Sequence, residues 1–388
     1  MMDENSENRN REKVLAVGYS VRHIVCSGFR AGYEMYAADA FGDVDTRRCA
    51  KRYIPLEPLS NLYCEIGAMD GIILGSGMEN ANFLFEKRDM EKIWGNPIET
   101  VKRVSNKAWL ATRLDDLNVP HPYTCSCIRT VEELKEGRLK LKLRYPVVVK
   151  PIYGGGGTMN KLCWNDKELT RFANRDFICQ EYIRGRHASV STLSTGKEVV
   201  SVAVNEQLIG LDSLHAPGSF SYCGNITPFH PVSRLAEQMC EIAEFLTLEF
   251  GLKGSNGFDF VISADDHQPF LIEVNPRFQG SLDTVELSTG LNLVDGAIKA
   301  VRKSLLPERI ITHRYAVKLI LYAERDTVVK RDFDGGIADI PAKGTVIRSG
   351  QPIASCIGVG DKRATAVAAA MENLALLKSG VSSLPSPK

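Results

Sequence analysis

The sequence has almost no charge imbalance: 48 lysines and arginines stand against 47 aspartates and glutamates, a formal net charge of +1 over 388 residues. With no basic excess to follow a phosphate backbone and no acidic tail, nucleic acid is not an expected partner. Long apolar runs are also missing. No segment approaches the about 18 apolar residues of a membrane span, and Val147-Val148-Val149 is cut off at once by Lys150 and Pro151. No membrane partner is expected either. Met1 to Lys13 lacks the apolar stretch of a signal peptide and reads as a solvated arm. The ten cysteines show no pairing pattern. Only Cys125 and Cys127 are close, and one intervening residue fits no common zinc spacing. Reduced, buried thiols in a cytoplasmic protein are therefore expected. What remains is a chain with 44% hydrophobic residues. It is long enough for two or three structural units and suited to a small-molecule task.

Val14-Leu15-Ala16-Val17 reads as a buried strand ending in Gly18, followed by a helical segment from Ser20 to Arg30 and a second strand from Tyr33 to Ala38. Asp39 then falls about 20 residues after the glycine, which is the opening of a Rossmann-like unit. The turn Gly18-Tyr19-Ser20-Val21-Arg22 lacks the glycines that let a pyrophosphate approach the backbone. A nicotinamide-dependent oxidoreductase is disfavoured on that ground. Asp70 to Gly77 is a later strand closing on a glycine loop, so residues 13–104 read as a small α/β domain.

Beyond Ser105 the texture changes. Asn106-Lys107 opens a helix with apolar residues at Trp109, Leu110, Leu114 and Leu117, stopped by Val119-Pro120. Pro146 to Pro151 is a strand, four glycines (Gly154, Gly155, Gly156, Gly157) follow, and Phe177 to Ile183 is another strand. Residues 210–228 read as a loop, and Arg234 to Phe250 has helical spacing. Strands Phe258–Ile262 and Pro269–Asn275 flank the turn Ala264-Asp265-Asp266-His267. The end of the chain has strand-like runs near Val317 to Tyr322, a turn-rich stretch from Asp339 to Gly360, and a helix from Thr365 to Leu377.

The hairpin carries the most chemical information. If it is symmetric about Asp266, Asp259 and Glu273, each seven residues away, face one another, and Asn275 shares a strand face with Glu273. Like charges opposed across a ladder call for a cation, and an all-oxygen set suits magnesium. A solvated hairpin face is the competing reading, weakened by Pro276-Arg277, which adds a fixed turn and a cation beside the acids. Lys150 and the glycine run make a second constellation. No P-loop pattern is present, and Thr158 to Leu162 does not begin a helix well. The glycines therefore suggest a flap between strands, with its N–H groups closing over phosphates, or else a plain hairpin tip. Lys107 and Lys150 are compact charges suited to phosphates. The segment Gln180-Glu181-Tyr182-Ile183-Arg184-Gly185-Arg186-His187 could present backbone groups to a purine edge, although an ordinary edge strand fits it as well. No Ser-His-Asp or Cys-His set stands out, since Cys223 has only sequence proximity to His215 and His230.

Taken in order, Ser105-Asn106-Lys107, Tyr145 to Gly157, Gln180 to His187, Gly257-Phe258-Asp259 and Phe270-Leu271-Ile272-Glu273-Val274-Asn275-Pro276-Arg277 resemble an ATP-grasp enzyme. The resemblance implies an α/β chain with three parts: a pre-ATP-grasp Rossmann-like domain after an arm over 1–12, an ATP-grasp α+β core over 105–305, and a small β-rich C-terminal lobe over 306–388. That lobe, with Asp339-Ile340-Pro341 and Gly344 to Pro352, is similar to the one in biotin-carboxylase-like members. It further implies that Lys107 and Lys150 contact ATP phosphates under the Gly154–Gly157 loop, and that Glu181, Tyr182 and Ile183 form the strand that meets adenine. His187 stands where many members hold the ribose with a glutamate. Asp259, Glu273 and Asn275 would bind one or two Mg2+ (or Mn2+) ions, and Arg277, with Lys150, would act on the transferred phosphoryl group or the substrate carboxylate.

The implied reaction activates a small-molecule carboxylate as an acyl phosphate for attack by an amine, and a homodimer is compatible with it. Two alternatives stay open: a biotin-carboxylase-like carboxylase using bicarbonate, although no Met-Lys-Met biotin-attachment sequence occurs in the chain, and a non-catalytic nucleotide-binding module. Arg22, Ser27 and the loop Leu214 to Thr227, with Ser219, Ser221 and Tyr222, are the expected substrate contacts.

Overall fold

The computed structural model describes residues 11–57, 60–79, 85–125, 133, 136, 144–172 and 176–384. Most of the expected N-terminal arm, and Cys127, lie outside them. The chain opens with four parallel strands, β1 (Lys13–Val17), β2 (Glu34–Asp39), β3 (Arg52–Pro55) and β4 (Gly71–Leu74), in the order β3-β2-β1-β4. Residues 14–17 are fully buried, as expected of an apolar run covered on both faces. β1 and β4 leave the sheet side by side through Gly18 and Gly75. A Cβ on Gly18 would lie 2.9 Å from the Gly75 Cα, so the approach of these two turns depends on the missing side chain.

Asn106 caps the helix Lys107–Asp116 by accepting from the N–H groups of Ala108 and Trp109, both at 3.0 Å. Beyond it a small antiparallel sheet is built from β5 (Thr124–Cys125), β6 (Val147–Pro151), β7 (Lys161–Cys163) and β8 (Phe177–Glu181), ordered β5-β8-β6-β7. The glycine run is the turn between β6 and β7, and no helix follows it.

The remaining strands are β9 (Gly185–Ser194), β10 (Val199–Ile209), β11 (Tyr222–Thr227), β12 (Gly254–Ser263), β13 (Pro269–Asn275), β14 (Tyr315–Tyr322), β15 (Thr327–Val329), β16 (Ile337–Ala338), β17 (Val346–Ile347), β18 (Pro352–Gly360) and β19 (Val381–Ser383). Eight of them form one sheet in the order β13-β12-β9-β10-β11-β14-β18-β16, and β17-β15-β19 form a second, smaller one. Strands from both sides of residue 305 thus share a single sheet. The segment 210–228, expected as a loop, contains β11. The stretch up to Gly360, expected as turns, contains the nine-residue β18. Both strands sit inside a wide sheet and are buried on both faces, so they carry little alternation to mark them. Phe258 and Phe260 of β12, 0% and 1% exposed, belong to one core with Met239, Ala243 and Leu246 of the helix Ser233–Glu249. Burial of rings of this size contributes about 1.5–3 kcal/mol each, which holds the β12–β13 hairpin against its helix. Among the described residues no helix is long and apolar enough to cross a membrane.

Candidate active site

The β12–β13 hairpin has the expected register at its functional end: Asp259 opposes Glu273 and Gly257 opposes Asn275. A bulge between Asp259 and Phe260 shifts the rest by one residue, so Phe260 faces Leu271. Asp259 is held on both sides. Its Oδ1 accepts from Gln207 Nε2 at 2.8 Å and its Oδ2 accepts from Asn275 Nδ2 at 2.9 Å. Burial and the neighbouring Glu273 carboxylate push Asp259 up to about 7, against the hydrogen bonds and the Arg277 charge. Asn275 Oδ1 accepts in turn from Arg277 at 3.1 Å.

Two lysines approach the same acids from other elements. Lys107, at the first turn of its helix and 6% exposed, donates to the Gly154 carbonyl at 2.7 Å and lies 3.8 Å from Glu273 Oε2. Lys150, in the middle of β6 and equally buried, donates to Gln180 Oε1 of the adjacent β8 at 2.6 Å. Burial, helped by the Lys107 charge, brings its ammonium down to about 8 against the opposing pull of Glu273 and Asp259. His187, one strand away, is lowered to about 4 by burial and by the Lys150 charge, so its imidazole is neutral at physiological pH.

The glycine loop lies against this cluster. A Cβ on Gly155 would come within 3.1 Å of the Arg277 guanidinium. The Gly156 carbonyl accepts from Tyr222 N–H at 3.2 Å. Gly157, at φ +74°, passes so near Phe220 that a Cβ would lie 1.7 Å from that residue's carbonyl oxygen. Gly157→Ala should therefore displace the loop. Should the loop cover ATP phosphates, as the resemblance implies, KM for ATP is expected to rise about tenfold, the equivalent of 1.4 kcal/mol, with little change in melting temperature; steady-state ADP release against ATP concentration reads it.

Lys107, Lys150, His187, Asp259, Glu273, Asn275, Arg277 and Gly154–Gly157 thus converge. Glu181 sits at the end of β8 beside Val147 and accepts from Tyr123 N–H at 3.2 Å. Tyr182 lies beyond the strand, its ring 6.5 Å from that of Phe220, and half-buried Ile183 follows in the connection to β9. Gln207 and Glu79, neither signalled by the sequence, belong to the same site. Glu79 Oε1 lies 3.5 Å from Arg277 Nε. They join it across 52 and 198 residues, and neither stands in a local motif.

One expectation needs correction. Arg22 and Ser27 do not face a substrate. Arg22 is 4% exposed and forks onto Asp283 at 2.6 and 2.8 Å, with its Nε on Asp339 at 2.9 Å. Ser27, fully buried, donates to Glu286 at 2.5 Å. A sequence shows which residues are polar but not which are already satisfied by distant partners. Cys223 is fully buried, and burial pushes its thiol up; His215 lies instead 4.0 Å from Glu324.

The donor set matches a hard divalent cation. Two facing carboxylates, one lifted well above its ordinary value by burial and by the other's charge, gain from a cation between them. Asn275 can add its amide oxygen only by turning it away from Arg277. Among the described residues, no group of three or more His, Cys, Asp or Glu gathers as a metal site, so the two carboxylates would hold a cation only with amide, water or ligand oxygens beside them.

Comparison with known proteins places this geometry. Residues 104–281 match the ATP-grasp domain family. The chain is 29% identical over 371 residues to an uncharacterized protein of Methanocaldococcus jannaschii, covering 89% of this chain and 88% of that one. Its fold is similar to that of biotin carboxylase from Campylobacter jejuni, solved as a β-γ-ATP complex, with a TM-score of 0.76 at 16% identity over 96% of this chain and 91% of that one. It is similar also to L-amino acid ligase from Bacillus licheniformis, with a TM-score of 0.73 at 17% identity over 98% and 100%.

Proposed function

Starting from a chain whose residues 104–281 are an ATP-grasp domain, we propose an ATP- and Mg2+-dependent carboxylate–amine ligase acting on small molecules. One observation carries the reading. Three cations, Lys107, Lys150 and Arg277, face the Asp259–Glu273 pair beneath a glycine loop. That is equipment for neutralising and positioning a phosphoryl group, without a protein nucleophile.

In the first step a carboxylate oxygen of the substrate bonds to the γ-phosphorus of ATP, and the bond from that phosphorus to the β–γ bridging oxygen breaks, releasing ADP. In the second, the amine nitrogen bonds to the acyl carbon, inorganic phosphate leaves with the electron pair of the carbon–oxygen bond, and the nitrogen sheds a proton. Lys107 and Lys150 bind the phosphates, the Gly154–Gly157 loop closes over them and excludes water, and Arg277 steadies the transferred group. Glu181, Tyr182 and Ile183 line the adenine side. Neutral His187 can donate or accept at the ribose, where a glutamate would only accept. A divalent cation bound by Asp259 and Glu273, with Asn275, supplies neutralisation of the phosphate charge.

The test is trapping by hydroxylamine. Incubation with Mg-ATP, hydroxylamine and pools of carboxylic acids should yield hydroxamate matched by ADP release. ADP release driven by bicarbonate, with no hydroxamate from any pool, would favour a carboxylase instead and overturn the ligase reading. The likeness to biotin carboxylase makes that the second reading to test.

A further inference from the structure

In an open parallel sheet, ligands collect outside the carboxyl ends of the strands where the strand order reverses. In the order β3-β2-β1-β4 the reversal lies between β1 and β4. The turn after β1 carries Tyr19, the turn after β2 carries Phe41, and the turn after β4 runs through Gly77 to Glu79. Single exposed rings are ordinary on a protein surface, but these two touch. Tyr19 and Phe41 are 53% and 36% exposed, yet their centroids lie 5.0 Å apart at 82°, an edge-to-face pair.

The pair is fixed from beneath. Tyr19 N–H donates to the Ser76 carbonyl at 2.6 Å, and Ala40 N–H donates back to the Tyr19 carbonyl at 3.2 Å. Gly77 leaves room for the ring, since a Cβ there would be 3.3 Å from that of Tyr19. Two residues on, Glu79 meets Arg277, so the aromatic platform and the phosphoryl-side arginine share one rim. The Glu79 side chain is 12% exposed, and only one of its oxygens has a partner among the described residues. The unpartnered carboxylate oxygen of Glu79 draws an ammonium and repels a second carboxylate.

We propose that this rim is the acceptor subsite, and that it takes a primary amine bearing a flat ring: the ring rests on Tyr19 and Phe41, and Glu79 receives the ammonium beside Arg277. The assignment rests on the ligase reading above, because it is the amine of the second step that must arrive next to the acyl phosphate. Glu79 would take one proton from the ammonium, freeing the lone pair that attacks, and the second proton, shed as the amide forms, would leave with the departing phosphate.

Phenethylamine is the probe, with n-hexylamine and phenethyl alcohol as its ring-less and amine-less counterparts, and saturation-transfer NMR on the full chain the readout. Phenethylamine should bind at least tenfold more tightly than either. Tyr19→Ala and Phe41→Ala should each weaken it about tenfold, Tyr19→Phe should retain it, and Glu79→Gln should erase the preference over the alcohol. Both rings are exposed, so the variants should melt as the parent does. Equal binding of the three probes, or unchanged phenethylamine binding by Tyr19→Ala, would overturn the subsite. Ring-amine binding that follows these variants, in a protein that forms no hydroxamate, would sustain the subsite and reject the ligase reading.

Discussion

Glu273→Gln should lower hydroxamate formation by at least a hundredfold while leaving the fold intact. Removing a charged contact made to the transferring phosphoryl group through its cation typically costs on the order of 10² in rate. The position makes the expectation sharp. Glu273 opposes Asp259 across the hairpin and lies 3.8 Å from Lys107, so in the proposed reading it serves both the cation and the lysine. Glutamine preserves shape and removes the charge. It also relieves the repulsion that lifts Asp259, so the variant protein should melt no lower than the parent, and slightly higher in the absence of metal. Full activity in Glu273→Gln would remove the metal assignment. An equal fall in activity and melting temperature would make the residue structural.

Arg22→Leu should be the most destabilising single change. The guanidinium is 4% exposed and joins the first domain (through helix Arg22–Arg30) to Asp283 of the helix Leu282–Thr289 and to Asp339 near the C-terminal strands. Lys318 of β14 adds a second cation on Asp283 at 3.0 Å. Removing one partner of such a group leaves buried carboxylates uncompensated, at a cost of about 3–5 kcal/mol. Replacing both members with apolar residues, Arg22→Leu with Asp283→Leu, should recover a good part of that loss in urea unfolding. Full additivity of the two single effects would refute the coupling.

The pH dependence follows the same network. Arg22 and Lys318 overcome the burial of Asp283 and Asp339 and hold both below the ordinary value of 3.8. A carboxylate lowered in the folded state stabilises it fully above the unfolded pKa, and that contribution is lost as pH falls through the folded one. The parent should therefore lose stability steeply below about pH 4, and Arg22→Leu should show a shallower acid slope. Parallel slopes would show that the network is not the source.

The legible part of this protein was local. The Asp259–Glu273 opposition is written in a short hairpin, where the turn sets the register, although a bulge makes the symmetry hold only at the functional end. Asn106 announces its helix because a cap acts over three residues, and the glycine run shows its loop because only glycine tolerates the φ values there. Neither needs a distant partner to be recognised.

What the tertiary structure decided is pairing over distance and burial. Arg22 looked like a substrate contact until a carboxylate 261 residues away proved to hold it. Glu79 and Gln207 entered the site with no local signature, and β11 and β18 were hidden because buried central strands lose the polar alternation that marks a surface strand. The near-equality of positive and negative charge gave no reason, from the sequence alone, to expect a polymer partner. Where those charges stand, three cations against two acids under a glycine loop with Glu79 beside Arg277, was settled only when folding brought distant segments within a few ångströms, the range over which charges and hydrogen bonds act strongly.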